Sequence, residues 1–293
     1  MAPPPAPSPV TGGVLPPSDQ AQTYRPATTD RRHLLRAGLR GAALATAGAA
    51  VGASGGAAAA HHLDTHLKPT ARVAPLPGQR ALLGARVLFQ GPPDQRLACV
   101  TFDDGPDPRW TPLVLDLLAE IEVRATFFVL GEAVQVRPEL VARQVEAGHE
   151  VGVHNWVHTD VYGVEVEQLR DSVDRTVAAI QEAGAPRPRL WRPPYGRVDA
   201  PALMVAAERG LDVLLWSLNS PSAAAAAAVA DKAGPGSVIL CHDGRTQPTE
   251  ALLRAMARSL ATLKARGLEL VTGSQMLAAS QAQVGAAGGL TAH

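Results

Sequence analysis

Leu97-Ala98-Cys99-Val100-Thr101-Phe102-Asp103-Asp104-Gly105-Pro106 decides the reading of this chain. Six residues of mostly apolar, β-favouring type run directly into two adjacent carboxylates and a Gly-Pro turn. The run predicts a buried strand over 97–102. Two neighbouring carboxylates at a strand end repel each other and lose hydration on burial, so a positive group is expected beside them.

Working outward, the same rhythm repeats. Further strands are predicted at 125–130, 150–154, 190–192, 212–218, 237–242 and 268–271. Helical patterns are predicted at 111–120, 138–147, 164–183, 201–209 and 249–266. Pro112, Pro138, Pro201 and Pro248 stand at or near helix starts, and Gly148, Gly184, Gly210 and Gly267 stand at helix ends, as the preferences for N-terminal Pro and C-terminal Gly require. Residues 223–228, six alanines, form helical scaffold. Seven strands alternating with helices imply parallel pairing, in a barrel or an open doubly wound sheet. No Gly-x-Gly-x-x-Gly follows the first strand, which counts against a dinucleotide fold. Polar residues gather at strand C-terminal ends, where α/β folds place their chemistry.

Three more clusters carry that chemistry. His154-Asn155-Trp156-Val157-His158 follows the third strand, and its histidines have the i, i+4 spacing of metal ligands. His62 and His66 share the spacing but have no strand to fix them. Two histidines plus one carboxylate leave positions open for water, as catalytic zinc sites do. Arg192-Pro193-Pro194-Tyr195-Gly196 follows the fourth strand. It supplies a fixed cation able to pair with a carboxylate. Leu240-Cys241-His242-Asp243-Gly244 ends the sixth and offers His242 as a general acid or base.

In this order the four clusters resemble the polysaccharide deacetylase family (the NodB-homology domain, carbohydrate esterase family 4) over about residues 96–275. The resemblance implies a distorted (β/α)7 barrel, TIM-like; the residues before it read by their own composition as a disordered N-terminal export region. It implies that Asp104, His154 and His158 bind a divalent metal, most readily Zn2+, and that Asp103 is the base taking a proton from metal-bound water. Arg192 would hold Asp103 ionised, and His242 would protonate the departing amine. The backbone N–H near Tyr195 would serve the oxyanion, while Trp216 and Leu240 would line a pocket for the acetyl methyl. One position departs from the family. Where an Asp that tunes the catalytic His is usual, this chain has Asn219, which can orient an imidazole but cannot stabilise its charged form.

The implied reaction removes acetyl groups from the N-acetylated sugars of a peptidoglycan- or chitin-like polysaccharide. The alternatives are O-deacetylation, as in acetylxylan esterases, and a degraded, carbohydrate-binding relative. The catalytic strings do not separate amide from ester.

The domain reading places a disordered segment and a twin-arginine-like signal at 1–60, a linker at 61–96, the catalytic domain at 97–275 and a flexible tail at 276–293. Residues 1–30 are rich in Pro, Ser and Thr. Arg31-Arg32-His33-Leu34-Leu35-Arg36 then precedes residues 41–60, which hold eleven Ala and five Gly and no charge. That run is long enough to span a bilayer but weakly apolar, which suits a cleaved export signal better than a retained anchor. Export machinery, an extracellular or envelope location, and membrane contact through this segment alone are therefore expected.

Composition sets outer bounds. The chain has 293 residues, 46% of them hydrophobic, so a large core is possible and whole-chain disorder is excluded. Basic and acidic residues balance at 27 each, which argues against nucleic-acid binding by bulk charge. Two cysteines exclude a disulfide scaffold. Strand parity turns Cys99 inward and Cys241 outward, so no disulfide is expected. One string, Val87-Leu88-Phe89-Gln90-Gly91-Pro92, looks like the recognition site of a viral protease used to remove tags.

Overall fold

The computed structural model describes residues 84–245 and 248–288. The twin-arginine-like segment, the first part of the expected linker and the last residues of the expected tail lie outside the described residues.

The strands are β1 (Val87–Leu88), β2 (Leu97–Asp103), β3 (Thr126–Val129), β4 (Glu150–Val153), β5 (Leu190–Trp191), β6 (Asp212–Leu214), β7 (Leu218–Asn219), β8 (Val238–His242) and β9 (Glu269–Val271). The helices are α1 (Trp110–Glu120), α2 (Gly131–Val136), α3 (Pro138–Glu146), α4 (Val166–Glu182), α5 (Ala200–Arg209), α6 (Ala223–Lys232), α7 (Glu250–Ala265) and α8 (Gly273–Gly288). The strands form one sheet in the order β1-β6-β5-β4-β3-β2-β8-β7, with β9 also on β2. Every pairing is parallel.

The sheet must curl, because its two ends belong to one short stretch of chain. β6 lies near one end and β7 is the other end, yet three residues separate them. Leu215 N–H donates to the Leu88 carbonyl and Ser217 N–H to the Val238 carbonyl. The result is the expected distorted (β/α) barrel, with its seam along this broken strand. The strand expected at 212–218 is thus two strands, because a single extended run cannot pair with both ends of the sheet.

Strand alternation sorts the core into two clusters. Ala98, Val100, Phe102, Ile239 and Cys241 face the helices. Cys99, Phe128, Leu190, Leu214 and Val238 face inward. The two thiols therefore point apart, both free, and burial pushes each up to about 12, which keeps them protonated and unreactive.

Two boundaries differ from the sequence reading. Val87–Leu88, within the expected linker, pairs with Val213 and Leu214. A two-residue strand between Gly and Pro residues carries no period of its own and is held by its neighbour. The expected tail begins inside α8, whose Met276 is fully buried and Leu277 nearly so, against Cys99, Leu190 and Leu214. Two buried side chains of this size contribute about 1.5–3 kcal/mol each. The start of α8 is tied down from afar: Gly273 N–H donates to Thr126 Oγ1, and Ser274 N–H to Glu150 Oε2. α8 thereby plugs the end of the barrel opposite the strand C-termini.

Candidate active site

Inward parity places Thr101 and Asp103 on β2, His154 just past β4, Arg192 just past β5, and Leu240 and His242 on β8. Asp103 lies level with His242 in the strand register. Three residues that follow these strands, Asp104 (φ 73°), Asn155 (φ 69°) and Tyr195 (φ 61°), have positive φ, a conformation unfavourable for residues with a Cβ. Such strain collects at functional sites, where surrounding contacts impose it. Asn155 is held by the Trp191 indole, whose Nε1–H donates to its Oδ1 at 2.9 Å. Tyr195 is followed by Gly196, where a Cβ would meet the Trp216 ring at 2.6 Å.

Arg192 is completely buried. Its Nη1 donates to Asp103 Oδ1 and to Thr101 Oγ1, both at 2.7 Å. Its Nε and Nη2 donate to the carbonyls of Leu214 and Leu215. The guanidinium stacks over Phe128 at 4.2 Å. The expected counter-cation for the paired carboxylates is therefore present and rigid.

Asp104 has the opposite character. Both of its carboxylate oxygens are buried and lack a hydrogen-bond partner. Its Oδ1 lies 3.4 Å from Nε2 of His154 and 3.4 Å from Nε2 of His158. Burial alone would raise its proton affinity, but contact with His154 and the fields of His154, His158 and His242 hold it below the usual carboxylate range. His154 Nδ1–H donates to the Arg192 carbonyl at 2.6 Å, which leaves the Nε2 lone pair facing Asp104 and Asp103. Such support of a ligating imidazole is what metal sites use. Burial pushes His158 down to about 4, with His154 and Arg245 adding to the shift against the pull of Asp104. Asp104, His154 and His158 form a group with ligand atoms within 4.8 Å of one another. An orphaned anionic carboxylate between two imidazole nitrogens fits a divalent cation, and two nitrogens with one oxygen suit zinc.

The other expected site residues fall as follows. The Tyr195 ring meets His158 edge-on at 4.6 Å, with the side chain largely exposed. Trp216 is half-buried, its ring 5.6 Å from the Arg192 guanidinium. Leu240 is buried level with Thr101. Asn219 is exposed on β7 beside Leu240, and among the described residues no hydrogen bond or ion pair reaches the His242 ring. Sequence reasoning passed over Thr101, Asp243 and Arg245. Asp243 is buried, accepts from Thr111 Oγ1 at 2.6 Å, and is raised to about 7 by burial and by Asp104, Asp103 and Asp107. Asp243 lies within the quoted His242 string and Arg245 directly after it, but only the folded loop brings them to the acidic pair.

A parallel barrel thus carries at its C-terminal mouth a carboxylate and two histidines that could hold a metal ion, next to an Arg-paired carboxylate. The family model described as polysaccharide deacetylase matches residues 90–214. The chain is 33% identical to a peptidoglycan-N-acetylglucosamine deacetylase of Bacillus cereus over 199 residues, which cover 65% of this chain and 92% of that protein. It is 35% identical to a chitooligosaccharide deacetylase of a Bradyrhizobium species, over 60% of this chain and 88% of that one. The solved structure of the Bc1960 peptidoglycan N-acetylglucosamine deacetylase, in complex with 4-naphthalen-1-yl-N-oxidanyl-benzamide, superposes with a TM-score of 0.61 at 32% identity, covering 65% of this chain and 92% of that one. The chain belongs to the polysaccharide deacetylase family.

Proposed function

We propose that this chain is a metal-dependent hydrolase that removes acetyl groups from the N-acetylated sugars of a peptidoglycan- or chitin-like polysaccharide. The observation that carries the reading is the orphaned Asp104 carboxylate between His154 and His158, beside the buried Asp103–Arg192 pair. The similar deacetylases of peptidoglycan and chitooligosaccharides support the amide class of substrate.

Asp104, His154 and His158 would hold the cation, and zinc is our choice of metal. A bound divalent cation supplies Lewis acidity, lowering the pKa of water from about 15.7 toward 7 and polarising the acetyl carbonyl. The chain's own groups do the rest. Asp103 takes the proton from the attacking water through its Oδ2, since Oδ1 is occupied by Arg192. Arg192 pairs with Asp103 and fixes its direction. A backbone N–H at Tyr195 serves the carbonyl oxygen as charge builds there. His242 gives its proton to the sugar nitrogen as the carbon–nitrogen bond breaks, because an amide anion is a poor leaving group. The products are acetate and a free amine. Trp216 and Leu240 form the apolar wall for the methyl group.

Export through the paired arginines and the Ala/Gly-rich run of residues 31–60 belongs to the same proposal, as it would bring the enzyme to envelope glycans. Among the described residues no helix is long and apolar enough to cross a membrane. The test is acetate release by chelator-treated, zinc-restored protein from N-acetylglucosamine oligomers and from acetylated xylan. Release from the oligomers supports the amide reading. Release from xylan alone replaces it with the esterase reading, and release from neither favours a binding role.

A further inference from the structure

The end of the barrel opposite the mouth holds a cavity of about 330 Å3 that the proposed reaction does not use. Its polar lining is His149, Glu150, Arg187, Arg189 and Ser274, and prolines and valines make the rest. The carboxylate in this wall is already satisfied. Glu150 accepts from Thr126 Oγ1 at 2.9 Å, from Ser274 N–H at 3.0 Å, and from the Ser274 hydroxyl. The donors are not. His149 is only 8% exposed, and Ala125 N–H donates to its Nδ1 at 3.1 Å. A neutral imidazole that accepts at Nδ1 carries its hydrogen on Nε2. Burial and the charge of Arg124 push His149 down to about 4, so the ring is neutral near neutral pH. Among the described residues nothing accepts from its Nε2–H. Arg187 and Arg189 are exposed and form no ion pair among the described residues; Arg187 Nη2 donates to the Arg209 carbonyl at 3.2 Å. Arg124 is likewise exposed and in no ion pair. It stands beside the same turn, where a Cβ on Gly148 would lie 3.3 Å from its Nε.

We propose that this cavity is an anion site that takes the phosphate group of a small phosphate ester such as a sugar phosphate. Arg187, Arg189 and His149 line it, and Arg124 adds positive charge beside it. A phosphate group carries a charge of about −1.5 to −2 and three acceptor oxygens, which matches this donor set. A carboxylate brings one charge and two oxygens. The volume lies at the lower end of small-molecule sites, which span about 300–1,000 Å3. It leaves room for the carbon skeleton of the ester against the prolines and valines. None of these residues belongs to the acidic pair or the histidine trio, so the site stands independently of the proposed reaction.

The experiment is a calorimetric titration of the chelator-treated full chain at low salt and about pH 7.5, where phosphate is mostly dianionic. The probes are glucose 1-phosphate, inorganic phosphate and acetate. The proteins are the parent, the double variant Arg187→Gln with Arg189→Gln, and Asp104→Asn. Glucose 1-phosphate is expected to bind the parent saturably, and tighter than the other two probes. The double variant, changed only at the surface, should bind it about tenfold more weakly, the worth of two exposed charge-assisted contacts. Asp104→Asn should bind it as the parent does. No saturable binding, equal affinity in the double variant, or a simple anion bound as tightly as the ester overturns the proposal. So does loss of binding in Asp104→Asn, which would put the phosphate at the mouth instead. A second readout needs no variant: in proton–nitrogen NMR the His149 Nε2–H signal should move in step with added ester, and an unmoved signal contradicts the site.

Discussion

Replacing Arg192 with Met keeps a long apolar stem against Phe128 but removes all four polar contacts of the guanidinium. The partner left behind is Asp103, only 3% exposed. Breaking a buried ion pair from one side strands a charge and costs about 3–5 kcal/mol. Neither partner is near enough to solvent for screening to reduce this. For a domain of this size each kcal/mol moves the melting temperature by about 2–4 °C, so the metal-free variant should melt about 6–20 °C below the parent. Because whole domains have only about 5–15 kcal/mol of stability, urea denaturation at low temperature is the safer assay. Much of the loss comes from the stranded charge. The double variant Asp103→Asn with Arg192→Met should therefore recover about 1–3 kcal/mol relative to the sum of the single effects. A single-variant cost below about 1 kcal/mol, or strict additivity in the cycle, would refute the claim that Arg192 is the fixed counter-charge of Asp103.

Three further expectations follow from other parts of the structure. Zinc at a hundred times its dissociation constant should stabilise the parent by about 2.7 kcal/mol, a rise in melting temperature of about 5–11 °C. Asp104→Asn should fold but lose that rise, and an undiminished rise in the variant would remove Asp104 from the ligand set. Asp243 has its folded-state value raised to about 7, above the unfolded value of about 3.9, so the native state disfavours its charged form. The resulting cost is absent below the unfolded value, grows as pH climbs through the interval, and is complete above about 7, at up to roughly 4 kcal/mol. Urea titrations of metal-free parent and Asp243→Asn should diverge from pH 5 to 8 in favour of the variant; parallel curves would count against this. Finally, the protease-like string is exposed at Val87, Phe89 and Gln90 but pinned at both ends. Gly91 and Pro92 are buried, Gly91 N–H donates to the Gly236 carbonyl at 2.8 Å, and Val87–Leu88 sits in the sheet. The folded chain should resist the tag-removing protease until it is heated into its unfolding transition, whereas rapid cleavage of native protein on a gel time course would show that this edge opens readily.

Most of the fold was legible because its strands are buried on both faces and punctuated by Gly and Pro. The stretch read as a strand at 97–102 is β2 to within one residue, and 150–154 and 237–242 match β4 and β8 as closely. The misses share a cause: their stability is tertiary. β1 is two residues long, and α2 is a six-residue helix whose start is held by the Asn155 and Trp156 carbonyls. α8 is rich in Ala and Gln, with little apolar periodicity, and is anchored by Thr126 and Glu150, more than a hundred residues away in sequence. The site divides the same way. Asp103, Asp104, His154, His158 and Arg192 stand at strand ends, where sequence spacing specifies direction, and the structure gathers them. Thr101 and Arg245 act through contacts that no spacing rule encodes. Asn219 was legible as a departure, and its exposed position leaves His242 without a carboxylate partner among the described residues.

The most direct test of the central claim is acetate release from N-acetylglucosamine oligomers by zinc-loaded parent and Asp103→Asn, with bound zinc measured in both. The account predicts release by the parent, a loss of at least about a hundredfold in the variant, and the same zinc content in each. Equal release by the variant, or no release by a fully loaded parent, would contradict it.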